Sequence, residues 1–109
     1  MTALEAFEQV DMRVGRITRA EPNEKARKPA YKLWVDFGEL GTKTSSAQLT
    51  VHYQPDELVG RLVIAAMNLG TRVIAGFTSE ILVLGLPDEN GAVVLLHPDK
   101  EVPLGGRVF

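Results

Sequence analysis

The chain has 109 residues, of which 45% are hydrophobic and 24% charged, and it contains no cysteine. This length and apolar content predict a single domain over residues 1–109, stabilised by burial around one core. Disulfide bonds and thiolate metal sites are excluded. The longest apolar runs, at 62–67 and 81–87, fall far short of the roughly 18 residues of a membrane span. We therefore expect no membrane partner.

The first ten residues bear on the location of the protein. They include Glu5 and Glu8 but no Lys or Arg, which is the wrong charge for a secretory or mitochondrial leader. The sequence therefore predicts a cytoplasmic location.

Charge is distributed unevenly along the chain. The net charge is −2, yet residues 13–32 carry seven basic and two acidic side chains. A basic stretch on an acidic body attracts phosphate groups or acidic peptides. A solvated surface loop accounts for the same charges, so the pattern alone leaves both interpretations open.

The first predicted elements are a helix and a bulged strand. Thr2 and Glu5 have the spacing of a capping box and begin a short helix. Residues 10–14 then alternate with the period of a strand, and Ile17 follows in the opposite phase after Gly15. A glycine at such a phase slip predicts a β-bulge or a sharp bend in the strand.

The middle of the chain predicts three strands and a helical turn. A charged loop over 20–30 precedes a strand at 31–37, whose apolar residues alternate. The third strand is predicted over 44–51, with Ala47, Leu49 and Val51 inside and a polar, uncharged outer face. Residues 55–60 begin with proline and end with glycine, which is typical of a single helical turn. Residues 61–68 are apolar on both faces, as in a fully buried strand.

The last third of the chain completes the fold prediction. Residues 70–79 are ambiguous apart from a bend at Gly76, and strands at 80–86 and 92–96 are joined by a turn. Many short strands with one or two helical turns predict an all-β fold. Specifically, the order predicts a five-stranded OB-fold barrel with a short N-terminal helix, one helical turn and extra C-terminal strands.

Patterns that would indicate catalysis or metal binding are weak. His52 and His97 stand alone at predicted strand ends, and no nucleophile elbow is present. We predict no enzyme, no catalytic residue, no metal site and no cofactor.

A binding module fits the sequence better. An OB barrel binds ligands on its second and third strands and on the loops that join strands one and two and strands four and five. Lys25, Arg27 and Lys28 fall in the first loop and Phe77 in the second. Basic groups beside an aromatic ring suit single-stranded nucleic acid or an extended peptide, although Phe77 also suits a core position. Trp34, on the polar face of the second strand, predicts a partner surface unless the N-terminal helix or the tail covers it.

Six short motifs carry a resemblance that extends from about residue 7 to residue 108. They are Asp11–Gly15 (DMRVG), Ala26–Leu33 (ARKPAYKL), Asp36–Gly38 (DFG), Lys43–Gln48 (KTSSAQ), Ser79–Gly85 (SEILVLG) and Leu96–Asp99 (LHPD). With them the sequence resembles the CsaA-type export chaperones, a branch of the EMAP-II-like tRNA-binding-domain family with an OB fold. The segment Tyr53–Gly60 (YQPDELVG), with Asn68, Leu69 and Arg72, resembles the broader tRNA-binding domain.

The resemblance implies two functions. Likeness to the chaperones implies a homodimer that binds unfolded or export-bound precursor polypeptides without ATP. Likeness to the broader family implies tRNA binding near Lys43, Asn68, Arg72 and Ser79. Ile81 replaces a glycine of the tRNA-binding pattern and adds bulk where a backbone could approach a ligand, so we rank peptide binding first and tRNA binding as the alternative.

These arguments define three sets of candidate residues. For peptide binding they are Arg27, Lys28, Tyr31, Arg72, Ile74 and Phe77. For RNA binding they are Lys25, Lys43, Ser46, Gln48, Asn68, Arg72 and Ser79. For a dimer interface, in which apolar chain ends meet, they are Leu4, Phe7, Trp34, Leu104, Val108 and Phe109.

Overall fold

A long first strand organises the fold. The computed structural model describes all residues from Met1 to Phe109. Its helices are α1 (Ala3–Gln9) and α2 (Pro55–Leu58), with a 3₁₀ turn at Gly38–Leu40. Its strands are β1 (Met12–Pro22), β2 (Tyr31–Asp36), β3 (Thr42–Ala47), β4 (Leu62–Ala66), β5 (Arg72–Ile74), β6 (Phe77–Ser79), β7 (Leu82–Val83), β8 (Gly85–Pro87) and β9 (Val93–Leu95).

Five of the strands form one antiparallel sheet in the order β3-β2-β1-β4-β7. The first half of β1, Met12–Arg16, pairs with β4, and the second half, Arg16–Pro22, pairs with β2. The sheet curls into a nearly closed barrel of the OB type, which confirms the predicted fold class. Strands β5 and β6 form one additional hairpin and β8 and β9 another. Neither helix is long and apolar enough to cross a bilayer.

The open edge of the barrel is closed by hydrogen bonds between β3 and residues 79–80, at the end of β6. The Ser46 N–H donates to Ser79 Oγ at 3.0 Å, and the Thr44 N–H donates to Glu80 Oε1 at 3.1 Å. In return the Glu80 N–H donates to the Thr44 carbonyl at 2.8 Å. These bonds satisfy an edge that would otherwise offer free backbone groups.

The core lies inside the barrel and follows the alternation of β2. Tyr31, Leu33 and Val35 point inward, as predicted, while the residues between them are half-buried. The cluster also contains Ile17 and Phe37, which are fully buried. The apolar alternation of this strand therefore placed its core face correctly.

The predicted bulge at Gly15 was wrong. The register shift occurs between Ile17 and Arg19, where β1 leaves β4 and pairs with β2. Gly15 is required for a different reason, because a Cβ there would lie 2.6 Å from Val35 Cγ1 and 2.7 Å from Phe37 Cε1. A glycine inside a strand marks a close approach as often as a bulge.

Three strand boundaries also differ from the prediction. The third strand ends at Ala47, and a turn in which the Tyr53 N–H donates to the Leu49 carbonyl at 3.2 Å follows it. Leu49 is buried as expected, but Val51 is 74% exposed, since the backbone has turned away. The predicted strand at 80–86 is divided into β7 and β8 at Leu84. The predicted loop at 20–30 is shorter, since β1 continues to Pro22.

The chain begins with α1 and ends in a tail that is attached to β1. The Thr2 and Glu5 capping box begins α1 as predicted. At the other end, the Gly105 N–H donates to the Val14 carbonyl at 2.8 Å and the Val108 N–H to the Met12 carbonyl at 2.9 Å. The tail is therefore part of the sheet assembly.

Candidate ligand-binding groove

A groove with two lobes lies between the loop after β1, strand β3 and the β5–β6 hairpin. The basic lobe has a volume of about 520 Å³. It is lined by Lys25, Ala26, Arg27, Lys28, Ala30, Ser46, Gln48, Ile74 and Ala75. The apolar lobe has a volume of about 450 Å³. It is lined by Ser46, Leu69, Gly70, Arg72, Ile74, Ser79, Ile81 and Leu82. Ser46 and Ile74 line both lobes, so the two lobes adjoin.

Asn23 connects the two loops that form the groove. Its side-chain amide donates to the Ile74 carbonyl at 3.2 Å, and its Oδ1 accepts from the Lys25 N–H at 3.3 Å. The residue is buried, so these bonds position the hairpin against the loop. Asn23 was not among the predicted site residues, because its partner, the Ile74 carbonyl, lies far along the chain. Its only sequence signal is its place after Pro22 in a turn.

The basic stretch of the sequence separates into two groups. Arg13, Arg16 and Arg19, on β1, form ion pairs with Asp11, Glu101 and Glu21. The cations of the loop and hairpin form no ion pair and are exposed to solvent. These unpaired cations are Lys25, Arg27, Lys28 and Arg72. A ligand with negative charge would therefore meet them without breaking an existing pair.

The peptide-binding set is largely brought together. Arg27, Lys28, Arg72 and Ile74 all line the groove. Tyr31 lies apart, in the core, where its hydroxyl donates to the Tyr53 carbonyl at 2.7 Å. Phe77 borders a neighbouring cavity rather than either lobe.

The RNA-binding set is more dispersed. Lys25, Ser46, Gln48, Arg72 and Ser79 line the groove, but the Ser79 hydroxyl is engaged by β3 and donates to the Ile81 carbonyl at 3.2 Å. Lys43 lies on β3 outside both lobes. Asn68 attaches α1, since its Oδ1 accepts from the Asp11 N–H at 2.9 Å and its amide donates to the Gln9 carbonyl at 2.7 Å.

The interface set is divided between exposed and covered residues. Leu4, Phe7 and Phe109 are exposed, whereas Leu104 and Val108 are half-buried in the tail. Trp34 is covered by neither terminus. Instead the ring of Phe77 packs edge-on against it, with centroids 5.4 Å apart, and the Arg19 guanidinium lies 4.3 Å from its ring centroid.

A hydrogen-bonded pair of His52 and Asp88 lies outside the groove. His52 Nε2 donates to Asp88 Oδ2 at 2.7 Å, while Asp88 Oδ1 accepts from the Asn90 and Ala92 N–H groups at 2.8 Å. The hydrogen bond from His52, followed by those from the backbone, lowers the pKa of Asp88 below its ordinary value. The structure contains no group of three or more His, Asp or Glu side chains arranged to hold a metal ion.

Comparison with known proteins agrees with this architecture. A family model described as "Putative tRNA binding domain" matches residues 12–107. The crystal structure of chaperone CsaA from Bacillus anthracis has a TM-score of 0.93 and 47% identity, covering 100% of this chain and 99% of that one. The CsaA chaperone protein from Picrophilus torridus has a TM-score of 0.91 and 43% identity, with 100% of both chains covered.

A longer relative matches the same region. The methionine–tRNA ligase of Methanosarcina mazei is 36% identical over 104 residues, which is 95% of this chain but 14% of the ligase. The chain therefore spans about one seventh of the length of this relative. With a family model that covers most of its length, the chain belongs to the tRNA-binding-domain family, and its structural neighbours are CsaA chaperones.

Proposed function

We propose that this protein is an ATP-independent chaperone that binds unfolded or precursor polypeptides in the two-lobed groove. The observation that carries the proposal is the adjacency of the two lobes, in which the apolar lobe shares Ser46 and Ile74 with a lobe rimmed by unpaired cations. Unfolded chains offer bulky apolar side chains together with free backbone carbonyls and carboxylates. Leu69, Ile74 and Ile81 would bury the former, and Arg27 and Lys28 would bind the latter.

Similarity to solved chaperones supports this proposal. Two structures whose names identify them as CsaA chaperones match the full length of the chain. Binding by burial and hydrogen bonding needs no nucleotide hydrolysis. We further propose that the protein acts as a homodimer in the cytoplasm, with the exposed apolar residues of α1 and of the tail at the interface.

The second candidate function is tRNA binding. Two observations favour it, namely the family model over residues 12–107 and the row of cations without ion-pair partners along the groove. Lys25, Arg27, Lys28 and Arg72 are spaced along both lobes and would contact successive phosphates. Phosphate contacts of this kind give affinity that falls with salt.

Titration of the protein with tRNA and with a chemically unfolded polypeptide, in the same buffer and over a salt series, separates these functions. For single-stranded RNA, the logarithm of the affinity is expected to fall with the logarithm of the salt concentration, with a slope of about −0.7 for each phosphate neutralised. Binding of the polypeptide by apolar burial is expected to change little or to strengthen as the salt concentration rises. The double substitution Arg27→Glu and Lys28→Glu is expected to abolish RNA binding and weaken peptide binding slightly. Tight tRNA binding that survives this reversal at physiological salt would make RNA the main ligand.

A second substitution tests the apolar lobe. Ile74→Thr removes an apolar group shared by both lobes and is expected to weaken suppression of client aggregation. Val73→Thr is the matched control, because Val73 lies on the same short strand, is 71% exposed and lines neither lobe. If the two folded variants suppress client aggregation equally well, Ile74 and the wall that it shares between the two lobes are not part of the peptide site.

A further inference from the structure

Two aromatic rings, Trp34 of β2 and Phe77 of β6, pack together outside the barrel core, and each has a cation beside it. Trp34 and Phe77 pack edge-to-face, with an angle of 68° between their planes. The Arg19 guanidinium lies 4.3 Å from the centroid of the Trp34 ring, and Lys32 Nζ lies 5.7 Å from the centroid of the Phe77 ring. We call these four residues the stacking surface.

The stacking surface is separate from the hydrophobic core. On β2, the residues that alternate with Trp34, Leu33 and Val35, are fully buried inside the barrel, so the indole points to the opposite side. It pairs across the sheet with Arg19 on β1 and with Thr44 on β3. Both rings are half-buried, although an aromatic ring usually gains most by complete burial. Part of the surface of each ring therefore remains accessible to a ligand.

A polar cavity adjoins the stacking surface. It has a volume of about 260 Å³ and is lined by Phe77, Lys32, Lys25, Glu24 and neighbouring backbone. Lys25 also lines the basic lobe of the groove. A line of cations without ion-pair partners thus extends from the groove to the aromatic rings.

We propose that the stacking surface binds unpaired nucleobases of single-stranded RNA. The rings of Trp34 and Phe77 and the guanidinium of Arg19 offer planar groups on which bases stack, and Lys25 and Lys32 contact the adjoining phosphates. Bases paired within a duplex are already stacked, so loops and ends are the parts of an RNA that fit. This inference rests on the second proposed function and deepens it by naming the part of the RNA that is recognised.

The chain has one tryptophan, so intrinsic fluorescence reports directly on this surface. Titration with a short oligoadenylate at low salt is expected to quench Trp34. Inorganic polyphosphate of matched charge supplies phosphates without bases and is expected to leave the fluorescence unchanged. Equal quenching by both probes would overturn the proposal. It would also be overturned if an unfolded polypeptide displaced the oligoadenylate from Trp34 and bound there with the same affinity as the oligoadenylate.

Substitutions at the surface give a second readout. Phe77→Leu is expected to weaken oligoadenylate binding roughly tenfold or more, measured by anisotropy of labelled RNA. Leu86→Ala, at an exposed apolar residue of β8 outside every proposed site, is the control and is expected to bind like the wild type. Lys32→Gln removes the cation beside the Phe77 ring and is expected to reduce the magnitude of the log–log salt slope by about one. Unchanged binding by both Phe77→Leu and Lys32→Gln would contradict the proposal.

The outcome also separates this inference from the function on which it rests. If tRNA binds in a manner dependent on Arg27 and Lys28 while oligoadenylate fails to quench Trp34, the stacking surface is refuted and RNA binding through the groove remains. If neither RNA binds at low salt, both are refuted.

Discussion

Arginine and lysine residues in one short stretch of this chain have two different roles, which depend on the element that holds them. On β1, the cross-strand and tail neighbours of Arg13 and Arg16 bring acidic groups and carbonyls within reach. In the following loop, Lys25, Arg27 and Lys28 have no such neighbours. Charge counting alone cannot distinguish these groups, because the distinction arises from long-range contacts.

At the scale of single residues, Gly15 provides a test of close packing. Gly15→Ala places a methyl group within 2.8 Å of Val35 and Phe37 side-chain atoms, so we expect a loss of about 1–3 kcal/mol in the free energy of unfolding. Urea denaturation measures this loss. Gly106→Ala is the control, since the nearest contact of a Cβ there is an ordinary 3.4 Å. Equal effects of the two substitutions would show that the clash is not responsible for the loss.

The His52–Asp88 pair predicts a pH dependence. Because the folded state lowers the pKa of Asp88, this carboxylate contributes stability above its unfolded-state pKa, and the contribution is lost as the pH falls through the lower folded-state pKa. His52→Ala removes the largest cause of the lowered pKa, so stability is expected to depend less on pH in this acidic range. Denaturation at a series of acidic pH values measures this dependence of stability on pH. His97→Ala serves as the control, because His97 contacts only the neighbouring Pro98 carbonyl, and an identical pH profile for both variants would contradict the prediction.

At the scale of elements, the barrel is closed by side chains as well as by backbone pairing. Ser79→Ala would leave the half-buried Ser46 N–H without its acceptor, at a cost of about 1–3 kcal/mol. We expect faster hydrogen exchange at the Ser46 amide together with lower stability. Thr78→Ala is the matched control, because only its backbone carbonyl takes part in the closure. Unchanged exchange at Ser46 in the Ser79 variant would show that this closure is not maintained by the hydroxyl.

Elements defined by local patterns could be predicted from the sequence, whereas elements defined by distant partners could not. The capping box of α1, the proline at the start of α2 and the alternation of β2 depend on neighbouring residues, and all three were found. The closure by Ser79 and Glu80 depends on β3, more than thirty residues earlier. The same limit applies to the site, since Asn23 and the packing of Phe77 on Trp34 depend on contacts that the sequence pattern does not reveal.

At the scale of the whole molecule, the two chain ends converge on one side of β1. The Arg107 guanidinium donates to the Glu8 carbonyl at 2.6 Å, which joins the tail to α1. No residue of α1 is buried, and Leu4 is 66% exposed. The helix α1 is held by hydrogen bonds at its C-terminal end, and its apolar residues are in solvent. Exposed apolar residues of this kind are typical of a surface that contacts another protein.

We therefore expect a homodimer that depends on the apolar residues of both ends. The double substitution Leu4→Glu and Phe109→Glu places charges in the proposed interface and is expected to give a monomer, because burial of unpaired like charges opposes association. Sedimentation velocity over a range of concentrations measures the mass. These substitutions are preferable to removal of residues 102–109, since Gly105 and Val108 bond to β1 and truncation would damage the fold. Val51→Glu is the control, at a similarly exposed apolar residue in neither terminal element. A double variant that remains at the mass of two chains would place the interface elsewhere on the barrel, and a wild-type protein with the mass of one chain would contradict the dimer.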